Sequence, residues 1–140
     1  MENIPTWLAV VAGALRRGDG RWLMHRRPAH KHHGGLWEFP GGKVENDENP
    51  SLALVRELQE ELRIAVDPAC LIPVGFAQEP PDSPKTPIVI LLYIVPHWSG
   101  EPMPEEGGEI GWFTPQEIFA LDMPPLDVAL AARLFGHEGR

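Results

Sequence analysis

Residues Gly41 to Ile64 read GGKVENDENPSLALVRELQEELRI, and this stretch decides the fold. Asn49 is a residue type that caps helix N-termini, and Pro50 suits the first helical position, where a missing N–H leaves nothing unpaired. The helix therefore starts at Pro50. At about 100° per residue, Leu54, Val55, Leu58 and Leu62 share an arc of roughly 100°, the width of a core-facing stripe. Glu57, Glu60 and Glu61 share a second arc on the opposite side. Such neighbours repel by a few tenths of a kcal/mol per pair in water, and by more where the local dielectric falls. A solvated acidic face is the ordinary meaning of such a run. The sharper meaning is a hard-cation site, because carboxylate oxygens suit Mg²⁺ or Mn²⁺ and a cation turns repulsion into binding. Gly41-Gly42 ahead of the helix and Glu48 just before its cap fit the second meaning. Arg56, at the edge of the acidic arc, can pair with Glu48 and orient the loop.

The bulk numbers set limits on what this helix can belong to. A chain of 140 residues, 43% hydrophobic, can bury a real core and is expected to form one domain over 1–140. Twelve Lys and Arg against twenty Asp and Glu give a formal charge of −8, which disfavours a long nucleic-acid partner. A small phosphorylated substrate remains compatible, because cations neutralise both site and ligand. Cys70 is alone, so neither an intrachain disulfide nor a cysteine metal cage is available. Met1–Pro5 has no basic stretch followed by an apolar run. Ile88–Pro96, the longest apolar run, is about half the length of a membrane helix. The expectation is a cytoplasmic protein without a membrane partner, as a monomer or homodimer.

Around the helix the pattern alternates between strand and helix. Trp7–Leu15 reads as a strand, Gly18-Asp19-Gly20 as a turn, and Arg21–Arg27 as the returning strand. Pro28–Gly35 is a loop with three histidines; His30, His32 and His33 read as loop residues before they read as a zinc site. Phe39-Pro40-Gly41-Gly42 forces a bend. Leu71–Gln78 reads as a strand, Pro80–Pro87 as irregular, and Ile88–Val95 as a strand buried on both faces. Ile110–Phe113 is a short strand. Thr114-Pro115-Gln116-Glu117 opens a helix with a capping box, and Leu126–Phe135 is the last helix. Trp37 and Trp112 read as packing.

Gly42, Glu48, Arg56, Glu57, Leu58, Glu60, Glu61 and Ile64 fill positions of a pattern resembling the Nudix box: Gly, five residues, Glu, seven residues, then Arg-Glu-aliphatic-any-Glu-Glu-any-Gly-aliphatic. The one departure is Arg63, where the family has a Gly that ends the helix in a left-handed conformation. The resemblance spans 23 of 140 residues. It implies a Nudix fold of α/β (α+β) class, a mixed β-sheet between helices with the box as loop-helix-loop. It also implies divalent-cation-dependent cleavage of a nucleoside diphosphate linked to another group. Glu57, Glu60 and Glu61, with the Gly41 carbonyl, would hold Mg²⁺ or Mn²⁺. Glu48 and Arg56 would be the supporting pair.

Beyond the box, Leu36-Trp37-Glu38-Phe39-Pro40-Gly41-Gly42-Lys43 and His25-Arg26-Arg27-Pro28 resemble the MutT-like branch, which converts nucleoside triphosphates to monophosphates. By that resemblance Arg27, His32 and Phe39 touch the nucleotide, and Glu106 approaches the metal or the attacking water. Glu57, Glu61 and Glu106 are the candidates for general base. Asp127 falls where the closest enzymes of the branch carry an Asn that reads the base. Asn donates and accepts while ionised Asp only accepts, so 8-oxoguanine, another purine and a modified cytosine all stay open. Each residue also has a plainer role: Arg27 as surface charge, Phe39 as core, Glu106 in a solvated loop, Asp127 as an acid at a helix N-terminus. Two other functions compete. Hydrolysis of ADP-ribose or another nucleotide sugar is one, with Pro80 at about the right downstream distance; a silent Nudix-like binding module is the other.

Overall fold

The computed structural model describes residues 7–136; Met1–Pro5, read above for leader character, lie outside the described residues. Among these residues are seven strands and three α-helices. They are β1 (Leu8–Leu15), β2 (Trp22–Arg26), β3 (Trp37–Glu38), β4 (Gly41–Lys43), α1 (Pro50–Leu62), β5 (Ile72–Gln78), β6 (Ile88–Val95), β7 (Glu109–Phe113), α2 (Pro115–Phe119) and α3 (Pro125–Phe135).

Two sheets form. The larger has order β4-β1-β6-β5, with β1 and β6 parallel and the two outer strands antiparallel to them. The smaller is antiparallel, in order β3-β2-β7. The mixed sheet is covered on both sides. Val11 and Leu15 of β1, with Tyr93 and Val95 of β6, join Leu54, Leu58 and Leu62 of α1 in one core. Ala12, Ala14 and Leu92 point the other way, towards Leu130 and Ala131 of α3. This is the period-2 alternation of a sheet with a helix on each face.

The stripe read from α1 is the one that is buried: Leu54, Leu58 and Leu62 are fully enclosed and Val55 half-buried. Each enclosed leucine contributes roughly 1.5–3 kcal/mol, which outweighs the few tenths per glutamate pair on the opposite face. Asn49 Oδ1 accepts from the N–H groups of Ser51 and Leu52, and Thr114 with Glu117 forms the capping box expected for α2.

Several expectations change. β1 starts at Leu8 rather than Trp7. β1 and β2 do not form a hairpin; the turn at Gly18–Gly20 carries the chain into the second sheet, with only an isolated bridge, Arg16 to Trp22, between them. The bend expected over Phe39–Gly42 follows directly on the end of β3 at Glu38 and runs into β4 at Gly41. A Cβ at Gly41 would overlap the Val11 carbonyl, so β4 lies against β1 only because position 41 has no side chain. The first half of β6 is half-buried rather than enclosed. Arg63 takes the left-handed conformation of the family's Gly, φ 61° and ψ 34°, and its N–H still bonds Gln59. The helix therefore ends in the family's manner, at a cost of about 1 kcal/mol for a residue with a Cβ. Among the described residues no helix is long and apolar enough to cross a membrane.

Candidate active site

The acidic face of α1 looks into a cleft of about 340 Å³, lined by Glu57, Glu60, Glu61 and Glu105 together with Arg27 and Lys31. Gly41 and Gly42 of β4 form its floor. The loop-helix unit is clamped from below. Arg56 Nε and Nη2 donate to the two Glu48 carboxylate oxygens at 2.8 and 2.9 Å, and Nη2 also donates to the Lys43 carbonyl at 3.0 Å. That forked pair holds Glu48 ionised, its carboxyl drawn down to about 2, and ties the loop after β4 to the middle of α1. The same guanidinium reaches Glu57 at 3.0 Å and Glu60 at 3.3 Å. Supporting pair and cleft carboxylates thus share one fixed cation.

The carboxylates are not at ease without more positive charge. Burial, then the nearby charge of Glu38, pushes Glu61 up to about 8, although the Gly41 N–H donates to it at 3.1 Å. Glu57 is raised too, chiefly by burial, against the pull of Arg56. Acids that resist ionisation because they are crowded and desolvated are stabilised by a cation placed among them. The donor set, all oxygen at the mouth, therefore fits a hard divalent ion.

A second cavity, about 660 Å³, adjoins the first and shares Arg27, Gly41 and Gly42 with it. Phe39, His32, Asp127, Lys85 and Ile90 are among its walls. Asp127 is buried at the start of α3, and its Oδ2 accepts from the Phe39 N–H at 3.0 Å. Burial, then the Glu38 charge, pushes it up to about 8. It is thus more than a dipole-favoured acid at a helix end: its side chain bonds the backbone just after β3 and lines the cavity. Phe39 serves both core and wall. Arg27 Nε donates to Glu38 at 2.7 Å and Nη1 to the His32 carbonyl at 3.3 Å, which fixes the guanidinium between the two cavities. Glu38 is nevertheless raised, because its burial outweighs the Arg27 pair.

A NUDIX domain model matches residues 6–134. The chain belongs to the Nudix family. It is 34% identical to an 8-oxo-dGTP diphosphatase of Escherichia coli strain K12 over 91% of this chain and 95% of that protein. With a CTP pyrophosphohydrolase of the same organism it shares 37% identity, over 88% and 87%. The solution structure of the E. coli ORF135 protein superposes with a TM-score of 0.78 at 35% identity, covering 91% and 88%. These matches make the chain a MutT-like Nudix hydrolase, and hydrolases of this family are generally dependent on divalent metals.

Within this Nudix chain, Glu57, Glu60, Glu61 and Gly41 come together at the cleft, and Glu48 and Arg56 meet beneath it. Arg27, His32, Phe39 and Asp127 come together at the larger cavity. Glu106 does not join either group: it is exposed and lines neither cavity. Its neighbour Glu105 takes the place in the cleft, held by Lys31 Nζ at 2.9 Å. Glu38 and the wall from Pro84 to Thr86 were not anticipated as site residues; the proline-rich composition of 80–87 announced irregular backbone but not where it would lie. His25, enclosed on β2 behind the cleft, was also missed. Its imidazole is held neutral by burial, which outweighs the charge of Glu105. Trp37 and Trp112 pack as expected, against Phe113 and Trp98.

Proposed function

We propose that this Nudix hydrolase converts a nucleoside triphosphate to the monophosphate and pyrophosphate, with the base in the larger cavity and the phosphates over the acidic cleft. The observation that carries this reading is the continuity of the two cavities through Arg27, Gly41 and Gly42. A partly apolar pocket opens directly onto clustered carboxylates, the juxtaposition a nucleoside and its phosphate chain call for. Glu57, Glu60 and Glu61, with Gly41, are the residues that would hold Mg²⁺ or Mn²⁺. When bound, the cation would supply Lewis acidity for the phosphoryl oxygens and lower the pKa of the attacking water. Water adds to phosphorus, one phosphoanhydride bond breaks, and the water's protons pass to a base and to solvent. Glu57 and Glu61 are the base candidates within the cleft. Arg27, which lines both cavities and is held by Glu38, would bind the phosphates.

Asp127 and Phe39 are proposed to read the base. With its carboxyl near 8, Asp127 stays protonated at neutral pH and, like an Asn, can both donate and accept. One of its oxygens is satisfied by Phe39, and the rest of the group is left for a base edge. That edge fits an oxidised guanine or a cytosine, the bases named for the two E. coli relatives. The cell's nucleotide pool in the cytoplasm is the proposed setting.

The test is a panel of 8-oxo-dGTP, unmodified dNTPs, CTP, modified CTPs and ADP-ribose, compared by kcat/KM with Mg²⁺ and with Mn²⁺. Triphosphates should lead and release pyrophosphate. Their kcat/KM should decline as pH rises through about 8, and Asp127→Asn should remove that decline. A clear preference for ADP-ribose would overturn the triphosphate assignment. No turnover above a Glu57→Gln control would mark a binding module instead.

A further inference from the structure

His25 is the anomaly of the molecule. Its ring is fully enclosed, at 0% exposure, and neither Nδ1 nor Nε2 finds a hydrogen-bond partner among the described residues. An enclosed polar group without a partner is costly and calls for a physical reason. The ring's surroundings supply one. Nε2 lies 3.6 Å from Glu105 Oε1, too far for a hydrogen bond. One ligand atom each from His25, Glu61 and Glu105 lies within 4.8 Å of the other two. His25 and Glu38 are paired across β2 and β3, so the strand register fixes the backbone that carries the ring.

We propose that His25, Glu61 and Glu105 form a mixed nitrogen–oxygen cation subsite at the inner end of the cleft, one that favours a first-row transition ion such as Mn²⁺ over Mg²⁺. The inference rests on the reading that the cleft binds divalent cations, and adds which ion and through which atom. A six-coordinate ion at about 2.1 Å from its ligands needs neighbouring donors roughly 3 Å apart. The present spread therefore requires a contraction, and Glu105 can provide it. Glu105 comes from a loop, and among the described residues its Oε2 is held by Lys31 alone, at 2.9 Å. Gly108 lets that loop lie close against β2, because a Cβ there would come within 3.2 Å of His25 Nε2 and of the Arg26 carbonyl. Imidazole nitrogen is a better donor to Mn²⁺, Co²⁺ or Zn²⁺ than to Mg²⁺, which takes oxygen almost exclusively. All-oxygen Glu57 and Glu60 at the mouth and nitrogen-bearing His25 at the base thus give the cleft two chemically different ends.

The experiment uses the full chain loaded with Mn²⁺ alone. Electron spin-echo envelope modulation should show coupling to an imidazole ¹⁴N that disappears in His25→Gln. Isothermal titration should show Mn²⁺ binding weakened about tenfold or more in that variant, with Mg²⁺ binding changed much less. Should His25→Gln fail to fold, anomalous diffraction from a Mn²⁺-soaked wild-type crystal answers the same question, with the expected peak beside Nε2. Bound Mn²⁺ with no ¹⁴N coupling, or an anomalous peak only at Glu57 and Glu60, would overturn the subsite and leave the cleft assignment intact. No Mn²⁺ binding at all, or binding that Glu57→Gln leaves unaltered, would overturn both.

Discussion

Glu61→Gln separates a carboxylate poised for a cation from one that merely decorates a helix. In protein stripped of metal, burial and then the Glu38 charge raise the Glu61 carboxyl from 4.5 to about 8. A proton held more tightly in the folded chain stabilises the fold while it is bound. That contribution is fully present below pH 4.5 and is lost as pH rises through about 8. At about 1.4 kcal/mol per pH unit the shift corresponds to an upper bound of ~5 kcal/mol. Glu61 keeps partial exposure, and solvent screening reduces the figure to ~2–3 kcal/mol. For a domain of this size that amounts to roughly 6–12 °C in Tm. Gln keeps the shape and an oxygen for the Gly41 N–H, but cannot ionise. In chelator, the Tm of the wild type relative to Glu61→Gln should therefore fall by that amount between about pH 5 and pH 8.5. Asp127 titrates in the same window but is common to both proteins and cancels in the difference. Adding Mg²⁺ or Mn²⁺ at the alkaline end should restore the wild type and help the variant far less. A difference in Tm that stays flat across the whole pH range, with and without metal, would refute the desolvated-carboxylate argument.

Arg63→Gly should raise stability by ~0.5 kcal/mol, the left-handed penalty less the extra chain entropy of glycine; an unchanged or lower urea midpoint would count against the strained helix end. A methyl at Gly42 would overlap the Glu57 carboxyl group, the movable end of a side chain, whereas one at Gly41 meets the backbone of β1. Gly42→Ala is thus expected to fold while losing about tenfold or more in Mn²⁺ affinity, and Gly41→Ala to lose its cooperative thermal transition. Arg56→Lys keeps the charge and removes the fork to Glu48, so turnover should drop roughly 10–100-fold with far-UV circular dichroism unchanged. Full activity in that variant would mean that charge alone suffices beneath the cleft.

What could be read from the sequence follows from how far each determinant reaches along the chain. Asn49, Pro50 and the leucine stripe act within a few residues of one another, so the start of α1, its buried face and the cleft-facing side of Glu57, Glu60 and Glu61 were all legible. Thr114 and Glu117 announced α2 in the same way. The pairing of β1 and β2 was misread because a turn signal at Gly18–Gly20 says that the chain reverses, not which sheet receives it. β3 and β4 are too short to display alternation, and β4 exists because Gly41 lets two backbones touch, a fact about Val11 as much as about Gly41. The same limit governs the site. On a helix, spacing fixes direction, whereas in the Glu105–Glu109 loop a shift of one residue turns a side chain from solvent to cleft, and composition favours neither Glu105 nor Glu106. His25 lies beyond any periodic reading. Leu23, Met24 and His25 are buried in succession, so β2 is covered on both faces and offers no polar side on which a functional imidazole would be sought. What marks His25 is the absence of a partner for either nitrogen, and that property arises only when β2, α1 and the Glu105 loop are brought together.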